Sequence, residues 1–388
     1  MAKLAAVKGI NDIIIKDYPV PQPEADSLVI KVEAASICGS DAHLSSMDIP
    51  RKYPGVIGHE FAGRIVSIGE RANETIHCYG GDMKIGDRIV VYPHITCQRC
   101  NICMTYGNGN CSCENDWIYG GTMMDVSDKL NHDPDVYPHF KGGFGEYVYI
   151  FPNTFVWKIP DEMPSKIATL LDPLAVAMRA VEQTMTSVGG YGEGLSTNSK
   201  GLIIGAGPIG IMCGMILKNM GIEQLIVSDF YDVKLEKARE IAGADVVLNM
   251  SGISTEERVE RVFEATSGTG ADIVINCANH PSSIVEGLQM VAVLGHYIEV
   301  GNAVSFGNIV KTELCLSQVV FERNAHITSV VANGPSTFDR AFRFLKRYKT
   351  IPFEKLLTHE IYSLEDLFPT IKKMRDENYL KGVLVFND

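Results

Sequence analysis

The sequence lacks any run that is both long enough and apolar enough to cross a membrane: its longest uncharged stretch, Gly201 to Leu217, is marginal in length and is broken by glycines and a proline. Positive charge is scarce as well. Against 47 Asp and Glu there are 35 Lys and Arg, and a net charge of −12 excludes the basic face that nucleic acid or an anionic membrane surface would require. No low-complexity segment, internal repeat or interdomain linker occurs. The opening Met1-Ala-Lys-Leu-Ala-Ala-Val-Lys leads into mixed polarity rather than into the apolar core of a secretory signal, so the expected location is the cytoplasm. In that reducing compartment ten cysteines point to metal binding before disulfides. What the chain has is length and apolar content: 388 residues, 46% of them hydrophobic, suffice for two domains with separate cores.

The strongest signal lies in Gly201-Leu-Ile-Ile-Gly-Ala-Gly-Pro-Ile-Gly210. An apolar run of strand character enters Gly205-x-Gly207-Pro208-Ile209-Gly210, and an apolar helical segment follows. A second apolar run ends in Asp229, about twenty residues on, as a dinucleotide site requires. The first glycine turns the chain, the second lets a pyrophosphate approach, the third lets helix pack on strand, and the helix N-terminus offers its amides to phosphate. Beyond it helices are expected at 234–242, 255–265 and 282–290 and strands at 246–248, 273–276 and 295–300. This alternation predicts a doubly wound parallel sheet, so the chain is α/β.

The N-terminal part reads differently. Residues 4–7, 12–16 and 28–34 alternate like half-buried strands, with further strands at 63–69 and about 88–92. Cys38, His59 and Glu60 are metal-ligand types, but no two have short zinc-finger spacing, and spacing by itself assigns them no site. Cys97, Cys100, Cys103 and Cys111 are different, because C-x2-C-x2-C-x7-C can close four thiolates around one zinc with no open position. An iron–sulfur cluster is the rival, disfavoured by the absence of a proline after the last cysteine, and Cys113 competes as fourth ligand. From Glu114 to Lys141 runs a long polar excursion without periodicity. Helical pattern then covers 164–188, with Asp172-Pro173 marking a helix start inside it. From about Ala325 a tail of mixed strand and helix restores the character of the first domain.

Taken together, Cys38-Gly-Ser-Asp-x-His43, Gly58-His-Glu60, the four-cysteine run, Gly142-Gly-Phe-x-Glu-Tyr147, Asp172-Pro-Leu174 and the glycine fingerprint with Asp229 resemble the zinc-dependent medium-chain alcohol dehydrogenases over essentially the whole chain. The resemblance implies a GroES-like, β-rich catalytic domain at 1–168 with 325–388, and a Rossmann domain at 169–324 that binds NAD. It implies two zinc ions per chain: a catalytic one on Cys38, His59, Glu60 and Asp172, and a structural one on the four cysteines. Asp172 stands where the sorbitol and threonine branch carries an acid. Ser40 and His43 then form a proton relay, the histidine suited to release near its ordinary pKa of about 6.5. Asp229 and Lys234 are implied to bind the adenosine ribose, the acid repelling the extra phosphate of NADP. The departures are Arg179, where that branch often has histidine, and the length of the excursion; His94 follows the threonine pattern. The expected activity is hydride transfer from a secondary alcohol, a diol, polyol or ring alcohol, to NAD, in a homodimer or homotetramer. Competing expectations are a dehydrogenase of threonine or another anionic substrate, an NADPH-dependent carbonyl reductase, and a non-enzymatic zinc- and nucleotide-binding protein.

Overall fold

The computed structural model describes residues 1–46, 55–121, 132–185, 194–301, 315 and 317–386. Most of the expected excursion at 114–141 is thereby described, but 122–131 lie outside the described residues. The chain forms two compact units, Met1–Asp172 with Asn333–Asp388, and Pro173–Ala332. The first extends past the expected limit at 168 because Asn333 donates from its amide to the Asp172 carboxylate (3.1 Å), tying the two ends of that unit together. Among the described residues no helix is long and apolar enough to cross a membrane.

In the first unit, a central sheet is built around the strand Leu28–Ile37, which pairs with Glu60–Ile68, Tyr147–Ile150 and, from the far end of the chain, Lys381–Val385. Its apolar residues Leu28, Ile30, Val32 and Ile37 join Phe61, Ile65, Ile89, Phe144 and Leu384 in one buried core. Register decides what this sheet does chemically. Ser36 stands opposite Glu60, and Ile37 opposite Gly382, so Cys38, Glu60 and Lys381 emerge at the same end of three neighbouring strands. Directly after Cys38 the chain turns into the short helix Gly39–Ser46, which carries Ser40, Asp41 and His43.

The second unit holds six parallel strands in the order Val246–Asn249, Gln224–Asp229, Lys200–Ile204, Ala271–Asn276, Val291–Glu299, His326–Ser329. Numbered along the chain this is 3-2-1-4-5-6, the doubly wound order, whose ligands bind at the carboxyl ends of the strands. The helix Pro208–Met220 is buried from Gly210 to Leu217, which explains its apolar composition on all sides, and it stops at Gly221 in the left-handed conformation. The helices Thr255–Ala265, capped by the Ser254 side chain, and Ser282–Met290 lie where periodicity put them. The helical pattern from Pro164 is not continuous. It divides into Ser165–Ala168 and Leu171–Glu182, because Pro173 is tolerated only in a first turn.

Candidate metal centres and dinucleotide site

Cys38, His59 and Glu60 meet with their ligand atoms within 4.8 Å of one another. His59 is 5% and Glu60 2% exposed, so water does little to satisfy them. Burial opposes a charge on His59, but the Cys38 sulfur, to which it hydrogen-bonds, and the Asp41 and Glu60 carboxylates outweigh it and push its pKa up to about 10. A group of buried anionic donors that draws a proton onto histidine is a site asking for a cation. Asp41, fully buried, lies 3.8 Å from His59 Nδ1 and accepts from the Cys38 amide (2.8 Å). At that distance it faces the imidazole without hydrogen-bonding to it. Ser40 Oγ, Asp41 Oδ1 and His59 Nδ1 are buried without hydrogen-bond partners, as expected of groups arranged for a bound metal and a substrate hydroxyl.

The expected ligand Asp172 does not join this group. Its carboxylate is taken by Asn333, and its pKa is raised by desolvation and by the nearby charge of Glu60. Asp172 is thus an electrostatic neighbour of the group, close enough to feel Glu60 and His59, and stands outside the three residues whose ligand atoms meet. Glu60 is itself engaged from behind: Lys381 Nζ lies 2.8 and 2.6 Å from its two oxygens, and Ser36 donates to it as well. Lys381 is only 4% exposed, and burial of its charge is offset by this carboxylate. Nothing in the sequence marked Lys381, since a lysine opening a terminal strand reads as solvated.

The cysteine site also requires a correction. The sulfurs that come together are those of Cys97, Cys100, Cys103 and Cys113; Cys111 is buried outside the cluster. Four thiolates at about 2.3 Å from a tetrahedral zinc stand roughly 3.8 Å apart. Cys100 lies 3.6 Å from Cys103 and 3.9 Å from Cys113, which matches that spacing and is far from bonded sulfurs. The turn after helix Asn101–Tyr106 decides between the two candidates. Ser112 and Cys113 both donate to Asn110, and this folds the Cys113 sulfur back under the amides of Cys97 (3.3 Å) and Asn115 (3.4 Å). Although burial opposes ionisation of Cys97, the amides of Arg99 and Cys100 draw its thiol down to about 6, and Cys113 is pushed up by burial. Amide-supported thiolates of this kind suit a closed zinc site.

In the second unit Gly205 adopts φ 96°, and a Cβ there would lie 3.0 Å from the Ala278 nitrogen. A Cβ on Gly210 would stand 2.0 Å from the Gly205 carbonyl, whereas one on Gly207 would meet open space. The outer glycines are thus required for packing, and the middle one leaves the backbone accessible beside Pro208 and Ile209, which open the helix. The Asp229 carboxylate accepts from Ala206 (2.8 Å), Phe230 (2.7 Å) and Tyr231 (3.1 Å), so main-chain amides orient it. Lys234 lies over the Tyr231 ring at 5.2 Å. Next to Asp229 a cavity is lined by Gly205, Phe230, Met250, His280, Ser283 and Glu286. Elsewhere in the first unit, His94 Nδ1 and Asp116 form a buried pair at 2.5 Å, with Asp116 unmarked by its sequence context.

Comparison with known proteins agrees with this architecture. Residues 24–161 match the alcohol dehydrogenase GroES-like domain, and residues 208–347 the zinc-binding dehydrogenase domain. An L-threonine 3-dehydrogenase of Bacillus subtilis is 31% identical over 301 residues, covering 76% of this chain and 75% of that protein. A sorbitol dehydrogenase of Bombyx mori is 28% identical over 370 residues, 92% of this chain and 90% of the relative. A solved short-chain alcohol dehydrogenase of Escherichia coli in complex with NADH superposes with a TM-score of 0.78 at 27% identity, over 99% of both chains. A GroES-like domain joined to a Rossmann domain defines an oxidoreductase of the alcohol dehydrogenase type. The chain belongs to the zinc-dependent medium-chain alcohol dehydrogenase family.

Proposed function

We propose that this protein oxidises a secondary alcohol to a ketone with NAD, the alcohol being a diol, polyol or ring alcohol. The observation that carries the reading is the grouping of half-buried Cys38 with buried His59 and Glu60, with the partnerless Ser40 hydroxyl on the adjoining helix. These three residues would hold zinc; when bound, zinc supplies Lewis acidity toward an alcohol oxygen and the dinucleotide supplies the hydride acceptor. The Asp41 carboxylate faces the His59 ring at 3.8 Å and adds negative charge beside it. Ser40 would take the hydroxyl proton while releasing its own through the cofactor ribose to His43, three residues on and on the same face of the helix Gly39–Ser46, which would carry it outward. Lys381 and Ser36 hold Glu60 from the protein side, and with zinc bound a carboxylate so held could leave a coordination position to a second substrate oxygen, which would favour vicinal diols. Relatives named as an L-threonine 3-dehydrogenase and a sorbitol dehydrogenase support an alcohol substrate that bears further polar groups. Cys97, Cys100, Cys103 and Cys113 would hold a second, structural zinc. A homodimer or homotetramer completes this reading.

The direct test follows NADH formation with ethanol, 2-butanol, 2,3-butanediol, sorbitol, cyclohexanol and threonine at equal concentration. A diol or polyol is expected to give the highest kcat/KM, and ethanol leading the series would refute the substrate class.

Cofactor preference gives a further expectation. Asp229 disfavours a 2′-phosphate by like-charge repulsion, and the E. coli relative binds NADH. Asp229→Ser is expected to narrow the preference of kcat/KM for NAD over NADP by about tenfold, roughly 1.4 kcal/mol. Equal efficiency of the unaltered enzyme with the two cofactors would remove this role from Asp229.

A further inference from the structure

We propose that Glu286 is a second determinant of cofactor choice, because it neutralises an arginine that would otherwise serve a 2′-phosphate. The inference rests on the dinucleotide reading of the second unit and extends it to residues outside the glycine fingerprint. The cavity beside the strand ends is lined by two carboxylates, Asp229 and Glu286, and by no lysine or arginine among the described residues. Asp229 ends the strand Gln224–Asp229 with no basic lining residue to offset it, and Glu286 lies on the helix Ser282–Met290.

One arginine lies just behind this wall. Arg258 stacks its guanidinium on Phe230 at 4.9 Å, and Phe230 is both a lining residue and the immediate neighbour of Asp229. Arg258 Nη1 donates to Glu286 Oε1 at 2.9 Å, and the Thr255 hydroxyl donates to the same oxygen at 3.2 Å. The pair is well shielded, with side-chain exposures of 17% for Arg258 and 9% for Glu286. Arg258 Nε is buried with no hydrogen-bond partner, so the guanidinium has unused donor capacity. Guanidinium is the preferred partner of phosphate, because its planar fork matches two phosphate oxygens. Here Nη1 is spent on a single Glu286 oxygen, and the ion pair offsets the guanidinium charge. Removing the carboxylate breaks this neutral pair and leaves the arginine's positive charge uncompensated beside the cavity.

The experiment titrates NADH and NADPH separately into full-length, zinc-loaded protein, following cofactor fluorescence. It compares the unaltered protein with Glu286→Gln, Asp229→Ser and the double variant Glu286→Gln/Arg258→Met. Glu286→Gln keeps an acceptor for Thr255 and is expected to tighten NADPH binding relative to NADH by about tenfold. Adding Arg258→Met should abolish the gain. Should Glu286→Gln fail to fold by its thermal transition, Glu286→Ala is the second variant and carries the same expectation. If the unaltered protein prefers NADH and either folded variant leaves NADPH affinity unchanged, the role of Glu286 is refuted while the dinucleotide site stands. A gain that survives the Arg258 change overturns the arginine's part. If the unaltered protein binds neither dinucleotide, the underlying reading of the site fails together with this inference.

Discussion

Cys38→Ser is expected to lower kcat/KM by at least about a thousandfold while leaving the fold in place. Loss of Lewis-acid stabilisation removes several kcal/mol, and each 1.36 kcal/mol is a factor of ten in rate. Position 38 itself bears little structural load: it follows the last residue of Leu28–Ile37, and its amide bond to Asp41 survives the change. Serine is close in size to cysteine but is a much poorer ligand for zinc. Elemental analysis should fall from about two zinc ions per chain to about one, with a thermal midpoint near that of the unaltered protein. Near-normal turnover after that loss would show that Cys38, His59 and Glu60 are not the catalytic centre. Collapse of the fold would instead show that this centre is structural, and the division of labour between the two metal sites would lose its support.

The second large effect separates two cysteines that stand two residues apart. Cys113→Ser is expected to release the structural zinc and to destabilise the unit that carries it. Structural zinc binding in small domains amounts to about 10 kcal/mol or more, comparable with the whole stability of a typical domain. Even a loss of about 5 kcal/mol would lower the midpoint by roughly 10–20 °C for a unit of this size. Cys111→Ser, by contrast, alters a buried side chain outside the sulfur cluster, and a cost of about 1 kcal/mol with zinc content unchanged is expected. Zinc stoichiometry and thermal denaturation of the two variants decide the matter. Zinc retained in Cys113→Ser and lost in Cys111→Ser would restore the simpler reading of the spacing.

That comparison shows where local sequence reaches its limit. Three of the cysteines were legible because C-x2-C-x2-C places them within a single turn-and-helix segment, where spacing nearly determines geometry. The fourth was not, because the choice between positions 111 and 113 depends on the turn at Asn110 and on which sulfur the amides of Cys97 and Asn115 point toward. Asp172 shows the same limit from the other side. Its residue type suits a ligand, but a partner 161 residues away, Asn333, claims its carboxylate.

By itself the sequence determined what depends on neighbours along the chain. Apolar periodicity specified the helices 255–265 and 282–290, glycine spacing specified the turn at Gly205, and βα alternation specified the parallel sheet. The tertiary structure alone decided what depends on strand register. Ser36 facing Glu60 and Ile37 facing Gly382 bring Cys38, Glu60 and Lys381 to one end of the sheet, and Lys381 reaches Glu60 across 321 positions of sequence. A pairing slipped by one residue would turn each of these side chains to the opposite face and leave the group of Cys38, His59 and Glu60 unassembled.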